Sequence, residues 1–121
     1  LVHGTGRNDP KVVWDSADGL DFRHSRRKCK YGRALYMAEL PLYSHGFAHT
    51  LLGPGGDEQA TMFVCVAAAG NVEDRASDKK LKHPSEGFHS VRGKVADPDY
   101  YAYMVYNVAQ AYPKWLVTYK P

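Results

Sequence analysis

The chain has 121 residues, 44% of them hydrophobic and 24% charged, which is the composition of an ordinary globular domain with its own core. No stretch approaches about 18 consecutive apolar residues, so no membrane-spanning helix is predicted. A formal net charge of +3 is too small to indicate nucleic-acid binding by itself.

The first third of the chain predicts a short strand, a helix and a loop. "LVH" is a strand that ends at "GTGRN", whose glycines permit a tight turn. Asp9 followed by Pro10 predicts a helix start, residues 12–14 give the helix an apolar side, and Gly19 is placed to end it. Residues 20–30 are polar and aperiodic, and we expect a loop there.

Most of the remaining predicted elements are strands. "ALYMAEL" is a short apolar strand, and "PLYSHGFAHTLL" is a possible helix from Pro41 that Gly46 weakens by about 1 kcal/mol relative to alanine. "ATMFVCVAAAG" is the strongest buried strand. "FHSVRG", "YAYMVYNV" and "KWLVTYK" are further strands, separated from the first group by the polar connection "NVEDRASDKKLKHPSEG". This pattern indicates one α+β domain, mostly antiparallel.

The two cysteines predict neither a disulfide nor a metal site. Cys29 lies in the basic stretch "RRKCKYG" and is expected to be exposed, whereas Cys65 lies in the apolar strand and is expected to be buried. No CxxC or HxxxH pair gives the ligand spacing of zinc. We expect a metal-free intracellular domain, excised from a longer chain because it opens without an initiator methionine or a signal-like stretch.

Three stretches carry candidate chemistry. "RHSRRKCKYGR" holds six Lys/Arg between Arg23 and Arg33; it is either a solvated loop or a contact for a phosphate-bearing ligand, and it lacks the interleaved aromatic residues of a nucleic-acid binder. "HGTG" offers a ring nitrogen, backbone groups and a hydroxyl at a strand end, although such a sequence is more often a plain strand terminus. Tyr36 and Phe47, with Ser44 between them, are either core residues or a sandwich for a planar amide-bearing ring.

Together, "LVHGTG", "GLDFRHS", "YGRALYMAE", the Ser44-x-x-Phe47 spacing, "GFHSVRG" and "AYMVYNVAQAYPKWLVTYK" resemble the catalytic domain of the poly(ADP-ribose) polymerase superfamily, the diphtheria-toxin-like ADP-ribosyltransferases. The resemblance covers essentially all of residues 1–121 and is greatest to the tankyrase catalytic domain. It implies the ADP-ribosyltransferase fold, a split pair of antiparallel sheets that grip NAD in a cleft. It also implies that the N-terminal portion of the family's catalytic domain is missing here.

The resemblance assigns roles to individual residues. It places His3 on the adenosine-side ribose, the backbone of Gly4 on the nicotinamide carboxamide, and Tyr36 on the nicotinamide ring. Ser44 matches a serine that also bonds the carboxamide, and Phe47 replaces a second stacking tyrosine. The remaining implied contacts are Thr5 with a ribose and the loop from Arg23 to Lys30, including His24, with the adenine and pyrophosphate.

Two further positions depart from the family pattern. A glycine of the family is Ala34 here, and the catalytic glutamate of its His-Tyr-Glu triad is Ala102. Alanine cannot hold a ribose hydroxyl, stabilise an oxocarbenium-like transition state or deprotonate an acceptor. None of the acids Asp99, Asp97, Glu86 and Glu39 is expected to take the place of the missing glutamate.

The resemblance therefore predicts an NAD-dependent mono-ADP-ribosyltransferase that releases nicotinamide, modifies a protein acceptor and cannot elongate chains. The alternative is a catalytically inactive module that binds NAD or ADP-ribose, or that serves as a protein-interaction domain. A nucleic-acid binder is the least favoured class. Neither a metal nor a membrane is expected to take part, and the compartment is the nucleus or the cytoplasm.

Overall fold

The structure is a computed structural model and describes residues 1–17, 19–21 and 29–121. Within these residues, no helix is long and apolar enough to cross a bilayer. The elements in chain order are β1 (Val2–His3), α1 (Pro10–Trp14), β2 (Leu35–Ala38), α2 (Pro41–His45), β3 (His49–Leu52), β4 (Glu58–Ala67), β5 (Val72–Asp74), β6 (Ser90–Ala96), β7 (Tyr100–Val105), a 3-10 turn (Val108–Gln110) and β8 (Ala111–Tyr119).

The two helices are short and begin where the sequence predicts. The Asp9 side chain accepts a hydrogen bond of 2.9 Å from the Lys11 amide, so it caps α1, and Pro10 occupies the first turn. This helix ends at Trp14, before the predicted stop at Gly19. The second helix starts at Pro41, and the "HTLL" expected to continue it is instead strand β3, because Gly46 ends α2 and the following residues pair with β4.

The described strands form one hydrogen-bonded sheet rather than the two separate sheets that were expected. β4 pairs with β8 along most of its length, and it also pairs with β3 and then with β1. The other half runs β2, β7, β6, β5. Only the two-residue strand β1 joins the halves, through β2 on one side and β4 on the other. The prediction of an α+β fold dominated by a sheet with few short helices is confirmed.

Strand β5 was not predicted, and its pairing with β6 is parallel. It lies within the polar connection before "FHSVRG", and it consists of Val72, Glu73 and Asp74 at the end of the sheet order. An end strand needs little apolar surface, so the alternation that identifies buried strands is absent from its sequence.

Alternation along β2 divides the core into clusters on opposite faces of the sheet. On one face Leu35 and Met37 pack with α1 and β4; on the other, Ala34 and Tyr36 pack with β6 and β7. Cys65 is buried, as predicted, whereas Cys29 is only partly exposed, and no disulfide joins them. A core position is the simplest expectation for a tryptophan, but Trp14 is 52% and Trp115 is 61% exposed; α1 buries its Pro10 and Val13 side instead.

Candidate functional site

His3 lies at the end of β1, where that strand joins the two halves of the sheet. Its Nδ1 donates a hydrogen bond of 2.7 Å to the carbonyl oxygen of Tyr36 on β2. Since a carbonyl oxygen only accepts, Nδ1 carries the proton of the neutral ring and Nε2 carries the lone pair. Burial lowers the pKa of His3, and the bond to the Tyr36 carbonyl opposes that shift. The neutral ring is suited to accept a hydrogen bond from a hydroxyl.

The turn after β1 is packed against the backbone that leaves α2. A Cβ on Gly4 would collide with the carbonyl oxygen of Phe47 and lie 2.9 Å from the Ala48 amide, so only glycine fits there. The amide of Gly6 donates a hydrogen bond of 2.6 Å to the same Phe47 carbonyl. The Thr5 hydroxyl donates to the carbonyl of Asn8 at 2.7 Å, which uses its proton inside the turn.

Tyr36 presents its half-buried ring on the face of β2 that also carries Ala38. Its hydroxyl accepts a bond of 2.8 Å from the Tyr31 amide and donates one of 2.7 Å to the Gly32 carbonyl. Burial raises the pKa of this phenol well above its usual range. The hydroxyl is therefore a fixed neutral group, and the ring is the part of the side chain available to a ligand.

Ser44 and Phe47 come from α2 and from the turn that follows it. Ser44 is buried, and its hydroxyl donates a hydrogen bond of 3.0 Å to the Val2 carbonyl. Its lone pairs, rather than its proton, are then available to a ligand. The Phe47 side chain is 45% exposed, so it is not the core residue that a plain structural role would require.

The structure thus brings five of the predicted site residues to one place, the junction of β1, β2 and α2. These are His3, Gly4, Tyr36, Ser44 and Phe47. Thr5 lies in the adjoining turn. Arg23 and His24 lie outside the described residues. Ala34 is buried in the same apolar cluster as Ala102.

Ala102 is fully buried, with 0% of its surface exposed. It stands in β7 opposite Ala38 of β2 and opposite Gly93 of β6. A Cβ on Gly93 would collide with the Tyr31 ring, which shows that this ring lies against the strand beside Ala102. The position matched to the family glutamate is therefore a closed apolar position, and Ala102 does not line an open pocket.

The acids considered as replacements lie elsewhere. Glu39 is on the opposite face of the sheet from Ala102, where it bonds the Arg92 guanidinium at 2.5 Å. Asp97 pairs with Lys94 at 2.8 Å, and this pairing lowers the pKa of the Asp97 carboxyl, so it stays ionised. Glu86, Asp97 and Asp99 are exposed in connections between strands. In the part of the chain that the structure describes, no group of three or more His, Cys, Asp or Glu is placed to hold a metal.

Two clefts open near β5, away from this junction. One is lined by the residues from Glu73 to Asp78 with Ser85, and the other lies between that segment, Lys30 and Tyr31, and the strands β6 and β7. Their arginines are already paired, Arg75 with Glu73 and Arg92 with Glu39. The second cleft also carries Lys30, Lys79 and Lys94 against Asp74 and Asp97, so its lining is basic even with the arginines paired.

Tyr43 is a site residue that the sequence reading missed. Its ring lies 5.2 Å from the Phe47 ring and 5.9 Å from the Tyr100 ring, and it packs against both apolar clusters that contain Ala38 and Ala102. The Tyr43 ring therefore packs on the two clusters that hold Ala38 and Ala102. One signal was available, since Tyr43 precedes Phe47 by four residues, the spacing of neighbours on a helix face.

Comparison with known proteins finds relatives of this chain, one of which can be described. The chain is 30% identical over 120 residues to a probable poly [ADP-ribose] polymerase of Dictyostelium discoideum. The match includes 99% of this chain and 33% of the Dictyostelium protein, so the chain spans about a third of the length of that relative. No family model matches the sequence.

Proposed function

We propose that this chain is an ADP-ribosyltransferase-like domain that binds NAD and transfers single ADP-ribose units from it to a protein side chain, with release of nicotinamide. The observation that supports this most is the 2.7 Å bond between His3 and the Tyr36 carbonyl, which joins the two residues assigned to opposite ends of NAD. The similarity to the Dictyostelium protein supports the same class. NAD and an intracellular protein acceptor, in the nucleus or the cytoplasm, are the proposed partners.

In this proposal each residue at the junction has a chemical task. The Gly4 backbone hydrogen-bonds the carboxamide, whose amino group also donates to the Ser44 oxygen. The nicotinamide ring lies between the Tyr36 and Phe47 rings, the usual arrangement for a planar aromatic ligand. The His3 Nε2 accepts from the hydroxyl of the adenosine ribose.

Thr5, Arg23 and His24 are proposed contacts for the adenosine and pyrophosphate end of NAD. The Thr5 oxygen retains lone pairs for a ribose hydroxyl after donating to Asn8. The two basic residues would complement the negative charge of the pyrophosphate.

The absence of a carboxylate at position 102 determines which transfer is proposed. In the reaction the bond between ribose C1′ and the nicotinamide nitrogen breaks, its electron pair leaves with nicotinamide, and a nucleophile of the acceptor forms the new bond to C1′. Ala102 supplies no general base, a contribution of about 10²–10⁴ in rate. A ribose hydroxyl is a weak nucleophile that needs such a base, so chains do not grow, whereas an acceptor carboxylate attacks without one.

A second candidate function, NAD or ADP-ribose binding without transfer, is favoured by the complete burial of Ala102. A closed apolar position gives no support to the positive charge that develops on the ribose. The same ground-state contacts would then serve recognition alone.

Calorimetric titration of the purified chain with NAD tests the proposal, with His3→Ala as the variant and His83→Ala as its control. His83 is exposed, and its ring bonds only the neighbouring Pro84 carbonyl among the described residues. Binding that is lost in His3→Ala and kept in His83→Ala supports the site, and no binding to the unmodified chain at millimolar NAD overturns it. Incubation with biotin-labelled NAD then separates the two functions, because only a transferase labels protein.

A further inference from the structure

Three tyrosines on neighbouring elements are linked through a single turn of backbone. The Tyr106 hydroxyl donates a hydrogen bond of 2.5 Å to the Tyr31 carbonyl. The Tyr31 amide donates to the Tyr36 hydroxyl, which in turn donates to the Gly32 carbonyl. We refer to Tyr31, Tyr36 and Tyr106 as the tyrosine clamp.

The segment held by the tyrosine clamp is also tied to β6. The Tyr31 hydroxyl donates to the Lys94 carbonyl at 2.8 Å, and the Lys30 ammonium donates to the next carbonyl, that of Val95, at 2.7 Å. Gly32 has a φ of +77°, and a Cβ there would collide with the Leu81 carbonyl. This packing leaves the turn little freedom to move, so the turn holds the Tyr36 hydroxyl in a fixed position.

The tyrosine clamp bears on the candidate site because Tyr36 belongs to both. Both hydrogen-bonding functions of its hydroxyl are taken by the turn at Tyr31 and Gly32, and its own backbone carbonyl holds His3. The phenol oxygen lies on the axis about which the ring rotates, so holding its position fixes χ1. Because a phenol O–H prefers to lie in the plane of its ring, the direction of the bond to the Gly32 carbonyl then favours one ring plane. Tyr106 does not contact the Tyr36 hydroxyl in this network; it bonds the Tyr31 carbonyl, and the Tyr31 amide bonds the Tyr36 hydroxyl.

We propose that Tyr106 is a positioning residue for NAD binding, which holds the turn that orients the Tyr36 ring against the nicotinamide. This inference rests on the proposed function, because it assigns a role in placing the same ligand. It gives a task to a side chain that follows the end of β7 and packs against the apolar cluster that contains Ala102 and Met104.

A double-mutant cycle tests the inference, with NAD affinity as the measured quantity. The variants are Tyr106→Phe, Tyr36→Phe and the two combined; each keeps the ring and removes one hydroxyl, so the core stays filled. Tyr103→Phe is the matched control, since it makes the same change three residues earlier, in β7, on the face opposite to that of Ala102. Circular dichroism and thermal unfolding establish that each variant is folded at the assay temperature.

We expect Tyr106→Phe to weaken NAD binding by about fivefold, the effect of one hydrogen bond between neutral groups. In the Tyr36→Phe background the same change should weaken binding by less than about twofold, because the hydroxyl through which it acts is gone. Tyr103→Phe should leave the affinity unchanged.

The outcomes separate this inference from the proposed function. If the unmodified chain binds NAD and Tyr106→Phe binds it equally well, the inference is wrong and the proposed function stands. Independent, additive losses in the two single variants also overturn it, because they would show that Tyr106 does not act through Tyr36. Failure of the unmodified chain to bind NAD overturns the proposed function and the inference together.

Discussion

Restoring the missing carboxylate by Ala102→Glu should damage the fold rather than create a chain-elongating enzyme. Ala102 is fully buried between Ala38 and Gly93, and the rings of Tyr31 and Tyr43 cover its surroundings. A glutamate adds one methylene and a carboxyl group to this space. Overpacking costs about 1–3 kcal/mol, and a buried polar group without a partner costs about 1–3 kcal/mol more. We expect a loss of about 2–6 kcal/mol in the free energy of unfolding.

The loss should depend on pH in a defined direction. Arg92 on the neighbouring strand is not available to pair with the new carboxylate, since it lies on the opposite face and bonds Glu39. Burial then raises the folded-state pKa above the unfolded value of about 4.3. The variant is least destabilised below that value, and it loses about 1.4 kcal/mol per unit as pH rises from about 4.3 to the folded-state pKa.

Urea unfolding between pH 4 and pH 8 measures both parts of the prediction. Ala102→Gln is the control, because it has nearly the same size and no charge; it should show the packing loss without the pH dependence. Combining Ala102→Glu with Tyr43→Ala should recover part of the stability by opening the covered space. An Ala102→Glu chain as stable as the original at pH 8 would refute the reasoning, and one that also elongated ADP-ribose chains would place position 102 in the open site.

Three further changes test the junction itself. Gly4→Ala should lower the free energy of unfolding by about 1–3 kcal/mol, because the added Cβ meets rigid backbone. Gly46→Ala is the control in the same urea titration. Its Cβ makes only an ordinary contact of 3.5 Å, so the change should be neutral or slightly stabilising. His3 has a lowered folded-state pKa, so stability should fall as pH drops below about 6.5, and His3→Gln should remove that part of the pH profile. Ser44→Ala should cost about 1 kcal/mol of stability and weaken binding of free nicotinamide, measured by calorimetry; unchanged nicotinamide affinity would argue against its contact with the carboxamide.

The elements that the sequence predicts well are those whose own residues carry the reason for their structure. Asp9 and Pro10 start α1 by local capping, and the apolar run around Cys65 forms β4 because no other arrangement buries it. β5 was missed because its partner β6 lies beyond a long polar connection, and β3 was missed because "HTLL" was assigned to α2 although its partner β4 follows closely in the chain. The continuity of the sheet was missed because it depends on the two residues of β1 meeting both β2 and β4.

The site shows the same division between local and long-range causes. The motifs identify residues that the structure brings together. They do not show which hydrogen bonds these residues already make: the Ser44 hydroxyl donates to the Val2 carbonyl, and the Tyr36 hydroxyl donates to the Gly32 carbonyl. The hardest feature to predict was the surroundings of Ala102. Strand alternation places Ala102 on one face with Met104, but the sequence does not show that the rings of Tyr31 and Tyr43 pack on that face. An alanine in place of a glutamate is therefore not a vacancy in an otherwise open site, because neighbouring aromatic rings cover it, and a single reverse substitution should not restore the lost chemistry.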